Sequence, residues 1–389
     1  MHPDTVMEKT DNLRDVIPEV LASFDLPGYE CARRYGSGHI NDTFLLEMDG
    51  SVRKAGTDAH ETSGGSADYI LQRINRGVFV HPEEVAENVW NITRYLQQVI
   101  RSAGGDPARE TLTVIPAKDG KPYATDKSGE VWRLVRFISD SMSYEIADTP
   151  ELFAASGEAF GHFQYLLRDF DVTCLTETIP DFHNTPKRYH RFEEAVSRDI
   201  AGSAAAVSVE IEEIRKRRSD CSVLTDQIRS GALRRSVTHN DTKLNNVLFD
   251  RNTGRPLCVI DLDTVMPGLA AYDFGDSIRF GANHNLEDER DLDKVEFDIR
   301  LYEAYAEGFL KGSGAIFSER ELQSLAWGAR VITLEQAIRF LTDYLEGDCY
   351  YHTDREGQNL DRARVQLKLL HGMEEQFGQM LTVLERARI

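Results

Sequence analysis

The periodicity of the apolar residues changes once along the chain, near Ile138, and this change limits the possible folds more than any other feature. Up to Ile138 the apolar residues fall in short, strand-length runs separated by turn residues. Thr43–Met48, Tyr69–Ile74, Thr111–Ile115, the stretch between Lys121 and Lys127, and Val131–Ile138 read as five strands. One helix interrupts them. Pro82 opens it, Glu83 and Glu84 fill its first turn, and Val85, Val89, Ile92, Leu96 and Val99 recur at helical spacing. Beyond Ile138 the spacing is mostly helical, starting at Thr149-Pro-Glu151 and broken only by a β-like region over 236–263. At 389 residues the chain exceeds one ordinary core. The expectation is an α+β chain of two lobes. Residues 1–138 form a small antiparallel sheet with one main helix, and residues 139–389 form a larger, mostly helical lobe.

Charge and composition remove several functions. A net charge of −20 argues against nucleic acid, whose phosphates demand clustered Lys and Arg. It leaves room for a phosphate ligand, which needs only a few local cations, backbone amides and a metal. The five cysteines are scattered and form no CxxC pair, so neither a zinc site nor a disulfide framework is expected. No apolar run reaches 18 residues, and Met1–Asp15 is charged and lacks an apolar signal core. A cytoplasmic protein with no membrane partner is therefore expected. The segment 49–68, full of Gly, Ser, Thr and Asp, reads as a long hairpin loop without chemistry of its own.

The chemistry concentrates in His239-Asn-Asp241-Thr-Lys243-Leu-Asn-Asn246, which fits the pattern H-x-D-x-x-x-x-N. Phosphoryl transfer needs a carboxylate to orient the attacking hydroxyl and oxygen ligands to hold Mg²⁺ on the phosphates. Asp241 is the candidate base, Asn246 a candidate metal ligand, and Lys243 can reach a γ-phosphate. Twenty residues after Asp241, Val259-Ile-Asp261-Leu-Asp263 runs into two acids. Alternation places Asp261 and Asp263 on one face of a strand, with Asp261 as the metal ligand. Asp273-Phe-Gly275 spells another metal motif but lies too far on, so Asp273 is expected to brace the catalytic loop from a helix start. Gly36, Ser37 and Gly38, ahead of the first strand, suit backbone amides approaching phosphates. One expected part is absent: Gln72 stands where the third strand would carry a phosphate-binding Lys.

These runs resemble the aminoglycoside phosphotransferase and choline kinase superfamily, and within it the N-acetylhexosamine 1-kinases. The likeness spans about Tyr35 to Leu369. It rests on Thr238–Asn246, Ile260–Thr264, Asp273–Phe280, Arg339–Asp348, Gly38–Asn41, Leu175–Ile179 and Phe182–Pro186. It implies a bilobal protein-kinase-like fold. It also implies transfer from ATP, with Mg²⁺, to the anomeric hydroxyl of N-acetylglucosamine or N-acetylgalactosamine. Asp241 would be the base, Asn246 and Asp261 the metal ligands, and His39, Phe280, Arg339 and Tyr350 the sugar pocket. ATP would lie between the lobes, its adenine near Phe137 and Ile138. An Arg fork and a Tyr hydroxyl suit ring hydroxyls or an acetamide carbonyl, and an aromatic face suits the apolar side of a pyranose. Arg339 and Tyr350 lie eleven residues apart, so they can share a sugar only if the helix breaks at Gly347. The 49–68 loop is longer than this resemblance leads one to expect. Two other readings stay open: a kinase for another alcohol (homoserine, choline, another sugar), or a catalytically silent nucleotide-binding protein, which the missing third-strand Lys would favour.

Overall fold

The computed structural model describes residues 16–26, 28–36, 40–48 and 68–388. Ser37, Gly38 and His39, and the loop 49–68 apart from Asp68, therefore lie outside the described residues. The chain divides into two compact units. The first comprises Met1–Ser141 with Cys174–Thr178 and Asp250–Asn252, and the second takes the remainder.

The first unit is built on an antiparallel sheet of β1 (Tyr29–Arg34), β2 (Asp42–Met48), β3 (Tyr69–Arg73), β4 (Val114–Ile115), β5 (Ala124–Thr125) and β6 (Val131–Arg136). The spatial order is β1-β2-β3-β6-β4, with β5 also paired to β6. Strand β1 was not anticipated. It is an edge strand whose YECARR sequence has no apolar run, because much of it faces water. In the sequence, Gly36–Gly38 thus falls between β1 and β2 instead of ahead of the first strand. Phe44, Leu46, Leu71, Trp132 and Leu134 share one apolar cluster with Ile17 and Phe24. Strand alternation turns Gln72 and Arg133 to the opposite face. Helix α1 (Pro82–Ser102) buries Val85, Val89, Ile92 and Leu96, the stripe expected from spacing. Its Asn88 side chain recruits a distant segment, donating to the Thr176 carbonyl at 2.7 Å and accepting from the Thr176 amide at 3.0 Å.

After β7 (Ser141–Met142) the second unit is mainly helical. It contains α2 (Pro150–Leu166), α3 (Thr185–Arg198), α4 (Ala270–Gly281), α5 (Ile299–Ser313), α6 (Glu319–Leu345) and α7 (Gln358–Glu375). Helix α6 starts on a capping box, Ser318 with Glu321. It is packed against α3, α4 and α7, which explains why so many of its residues are buried. Helices α4 and α6 cross closely: a Cβ on Gly275 would lie 2.4 Å from the Gly328 carbonyl oxygen. Two short antiparallel pairs frame the β-like region, β8 (Ser236–Thr238) with β11 (Met266–Gly268) and β9 (Val247–Asp250) with β10 (Pro256–Val259). No described helix is long and apolar enough to cross a membrane.

Candidate active site

The run 239–246 leaves β8 and enters β9, so both its ends are tied into sheet. The β9–β10 register pairs Val247 with Val259. This sets Asn246 beside Ile260, whose amide donates to the Asn246 carbonyl at 2.9 Å. Asn246 and Asp261 are thereby brought to the same end of one hairpin.

Buried His239 is structural. Its Nε2 donates to the Ile260 carbonyl at 2.8 Å, leaving Nδ1 to accept from the Asp241 amide at 3.3 Å. The rings of Phe160 and Phe163 pack edge-on against it. Asp273, in the first turn of α4, holds the loop from behind. Its carboxylate accepts from the His239 amide at 2.9 Å, the Asn240 amide at 2.8 Å and Gln164 Nε2 at 2.7 Å. Burial pushes the Asp273 carboxyl up from its ordinary value, against the pull of His239 and these donors. Asn240 adopts a left-handed φ of 66° that lets two successive amides point at one carboxylate. The rest of the Asp-Phe-Gly triplet is structural as well. Phe274 is fully buried among Tyr302, Tyr305 and Phe309, and Gly275 permits the close α4–α6 crossing.

Thr242 is held one turn further along α4, its amide donating to Asp276 Oδ2 at 3.0 Å. Burial opposes the charge on Asp276, yet the Arg279 guanidinium and the Lys243 ammonium hold its carboxyl below the ordinary range. Lys243 reaches Asp241 Oδ1 at 3.0 Å. Burial works against its charge too, but Asp241 and Asp276 together raise its pKa. On the other side Asn246 Nδ2 donates to Asp241 Oδ2 at 3.2 Å and to the Asp241 carbonyl at 2.8 Å. Asp241 is thus clamped between an ammonium and an amide while its side chain stays partly open to solvent.

One expectation about this region is corrected. Asp261 and Asp263 do not alternate along a strand. Strand β10 ends at Val259, Asp261 turns left-handed with φ 60°, and Leu262–Thr264 form a 3₁₀ turn. The outcome is that Asp261 faces solvent and Asp263 is buried. Among the described residues no group of three or more His, Cys, Asp or Glu could hold a metal. A carboxylate from Asp261 and the Asn246 carboxamide oxygen, whose Nδ2 is spent on Asp241, are hard oxygen donors. They fit a Mg²⁺ that draws its remaining ligands from phosphates and water.

In the first unit Gln72 is paired across the sheet with Arg133. Arg133 Nη2 donates to Gln72 Oε1 at 2.7 Å, and Gln72 Nε2 donates to Thr43 Oγ1 at 3.2 Å. Sequence reasoning missed Arg133. Its position inside the apolar run Val131–Ile138 was the available signal, because an Arg buried to 2% exposure on a central strand needs a partner or a role. Strand β6 ends at Arg136, and Phe137 continues with its amide on the Asp68 carbonyl at 2.9 Å. The Phe137 ring stands edge-on to Tyr35, next to Gly36, at 5.7 Å, while Ile138 is buried.

In the second unit α6 ends at Leu345, Glu346 caps it, and Gly347 takes φ 92°. The chain turns back, and the turn is fastened by one side chain. Asp343 accepts from the amides of Cys349 at 3.0 Å, Tyr350 at 2.8 Å and Tyr351 at 2.9 Å, and from Asn359 Nδ2 at 2.9 Å. The Arg339 guanidinium consequently lies 5.9 Å from the ring centres of Tyr350 and Phe182, and 5.5 Å from that of Tyr351. Arg339, Tyr350 and Tyr351, with Arg188 and Arg191 of α3, line an open surface pocket. Phe280, near the end of α4, is partly exposed, its ring 5.9 Å from the Arg279 guanidinium. Asp343 and Arg188 were not anticipated. Both read as ordinary surface charges in helical sequence.

The first unit's sheet, the helical second unit and the clamped Asp241 define a kinase-like fold. A family model described as phosphotransferase enzyme family matches residues 32–323, and the chain belongs to that family. An aminoglycoside phosphotransferase from Alicyclobacillus acidocaldarius superposes with a TM-score of 0.59 at 13% identity, covering 95% of this chain and 96% of that one. A microcompartment-associated aminopropanol kinase gives 0.55 at 15% identity, covering 94% and 98%. The GDP complex of an aminoglycoside 2'-phosphotransferase-IIIa mutant gives 0.53 at 12%, covering 95% and 99%. The protein is therefore a member of the phosphotransferase enzyme family with a kinase-like fold.

Proposed function

We propose that this phosphotransferase uses ATP and Mg²⁺ to phosphorylate the anomeric hydroxyl of an N-acetylhexosamine, by direct in-line transfer. Asp241 accepts the hydroxyl proton and aims the oxygen at the γ-phosphorus. Lys243, 3.0 Å from Asp241 Oδ1, fixes the orientation of that carboxylate and stabilises charge on the transferring group. Asn246 and Asp261 hold the magnesium, which when bound neutralises charge on the phosphate oxygens. The C1–O1 bond is never broken, so the anomer that binds is the anomer produced. In the first unit Gly36, Ser37 and Gly38 approach the phosphates, and Phe137 and Ile138 border the adenine. Gln72 and Arg133 act together at the phosphates, with Arg133 supplying from β6 the positive charge that the third strand lacks.

The observation that carries the acceptor reading is the meeting of Arg339 with Tyr350 across the break at Gly347. It gives one pocket a guanidinium fork and phenol groups suited to the oxygens of an acetamide and a pyranose. Phe280, on α4 of the same unit, is assigned to the acceptor as well. The test is ADP release with N-acetylglucosamine, N-acetylgalactosamine, homoserine and choline, with phosphorus NMR to locate the new ester. An α-1-phosphate formed fastest from an N-acetylhexosamine supports the reading. Faster turnover of homoserine or choline replaces it with another acceptor alcohol, and no turnover with any of them supports a silent nucleotide-binding protein.

A further inference from the structure

The Arg339 pocket carries more positive charge than a neutral sugar requires. Arg188 and Arg191 of α3 face it together with Arg339 of α6. Its acids are already engaged. Asp343 is saturated by three amides and Asn359. Glu346 is bound to Arg191 at 2.6 Å. Glu335, buried beneath, accepts from Thr185 Oγ1 at 2.6 Å and pairs with His183 Nδ1 at 2.9 Å. Among the described residues lining the pocket, the buried Nε of Arg188 and the buried hydroxyl of Tyr351 have no protein partner. Arg188 makes one long bond, from Nη2 to the Phe182 carbonyl at 3.3 Å. Burial and the neighbouring Arg339 charge both act to lower the Arg188 pKa. Two guanidiniums thus lie close together with no carboxylate of their own at the pocket surface.

We infer that Arg188 and Arg339 form a paired-guanidinium subsite that selects oxygen-rich, non-cationic acceptors and rejects ammonium-bearing ones, with Arg188 as the determinant of that selection. The inference rests on the reading of this pocket as the acceptor site and narrows its substrate class. An acetamide carbonyl or ring hydroxyl can fill the unpartnered donors of Arg188 and Tyr351. An ammonium would face two like charges, and the carboxylates among the described lining residues, Asp343 and Glu346, already hold amides and Arg191, so its desolvation would be poorly compensated. The aromatic rings provide no cage for it, because the Arg339 guanidinium already lies against Phe182, Tyr350 and Tyr351.

Three sugars differing only at C2 provide the test: N-acetylglucosamine, glucose and glucosamine, whose amine is largely protonated at or slightly below neutral pH. Their affinities for the full-length protein with ADP are measured by titration calorimetry at such a pH. Ethanolamine and 1-amino-2-propanol are run beside them. Glucosamine is expected to bind at least about tenfold more weakly than glucose, the scale of one unfavourable charge contact. Arg188→Gln should reduce that ratio to about threefold or less, whereas Arg188→Lys should preserve it. Parity of glucosamine and glucose on the wild-type protein overturns the inference even if Arg188→Gln does not fold. If N-acetylglucosamine still binds tightest, that parity leaves the hexosamine reading standing. Tighter binding of either amino alcohol, or binding of none of the sugars, overturns both.

Discussion

The 239–246 loop and the Arg339 pocket are both braced by buried acids on helices of the second unit, but they handle polarity in opposite ways. From His239 to Thr242 the backbone amides are spoken for: Asp273 takes two, His239 Nδ1 one and Asp276 one. In the pocket the acids are spent on holding the scaffold, and Arg188 Nε and Tyr351 OH are left without protein partners. Leaving a buried donor unmade costs about 1–3 kcal/mol. A site meant to position its own Asp241 avoids that cost, while a site meant to receive a ligand carries it until the ligand arrives. The difference teaches where to expect rigidity and where to expect selectivity.

If the loop is a pre-organised device, the largest effect follows from disabling its functional atom. Asp241→Asn is expected to lower kcat by about 10²–10⁴-fold, the range for a general base, with ATP affinity nearly unchanged. Near-normal turnover in single-turnover assays would remove Asp241 from that role. The next largest effect removes the loop's anchor. Asp273→Ala strands two amides and Gln164, so a loss of about 3–5 kcal/mol in unfolding free energy is expected by denaturant titration. A folded, fully stable Asp273→Ala protein would break the comparison, because the loop would then not depend on that acid.

The two acids on α4 also separate by pH. The Asp276 carboxyl is held below its unfolded-state value, so it stabilises the fold above that value and the contribution is lost as pH falls through the lower folded-state one. Asp273 is shifted upward, so its contribution has the opposite sign: protonation favours the folded state as pH falls. Asp276→Asn should therefore flatten the acid limb of a stability-versus-pH curve. An unchanged acid limb would mean that Arg279 and Lys243 do not hold this carboxylate.

Most of the loop was legible from sequence because its logic is local. Asp241, Lys243 and Asn246 lie within six residues, and Asp273 could be assigned as a brace because its spacing from Asp241 is too long for the metal position, which the sequence reading gave to Asp261. The Asp261–Asp263 face was misread because a left-handed residue ends the alternation, and nothing in Asp-Leu-Asp announces it. Edge strand β1 was missed since solvent on one side removes the apolar run that betrays a strand. The pocket was half legible. Gly347 announced the break that lets Tyr350 return to Arg339, but Arg188 in Thr-Pro-Lys-Arg-Tyr-His-Arg looks like any charged helix face. Arg133 was passed over because its neighbours read as a plain apolar strand, and only the cross-strand register sets it beside Gln72.

On the receptive side the effects should be smaller and confined to one substrate. Arg339→Ala is expected to raise KM for the sugar about tenfold, the worth of a charged hydrogen bond, with KM for ATP held within about twofold. In the first unit the reverse split is expected. Arg133→Met should raise KM for ATP about tenfold and leave the sugar KM in place, and adding Gln72→Lys should recover part of it by moving the charge to β3. An equal rise of both constants in either variant would point to general damage.

The smallest effect tests whether the pocket's scaffold can be loosened without touching its donors. Asp343 touches no substrate in this reading. It positions Tyr350 and Tyr351 through their backbone amides, and also takes Cys349 and Asn359. Asp343→Asn keeps the size and one acceptor oxygen but presents an NH₂ where the other oxygen stood, and since each oxygen accepts two of the four bonds, two donors lose their partner. Losing two such bonds costs about 2 kcal/mol, which is divided between lost stability and a slackened turn. If the turn slackens, the Tyr rings drift from Arg339, and KM for the sugar should rise about threefold at unchanged kcat. The catalytic loop does not use Asp343, so the chemical step has no reason to slow. A fall in kcat with KM unchanged would couple the turn to Asp241 and erase the division between the two regions. Unchanged kinetics with a lowered melting temperature would limit Asp343 to holding the helix end.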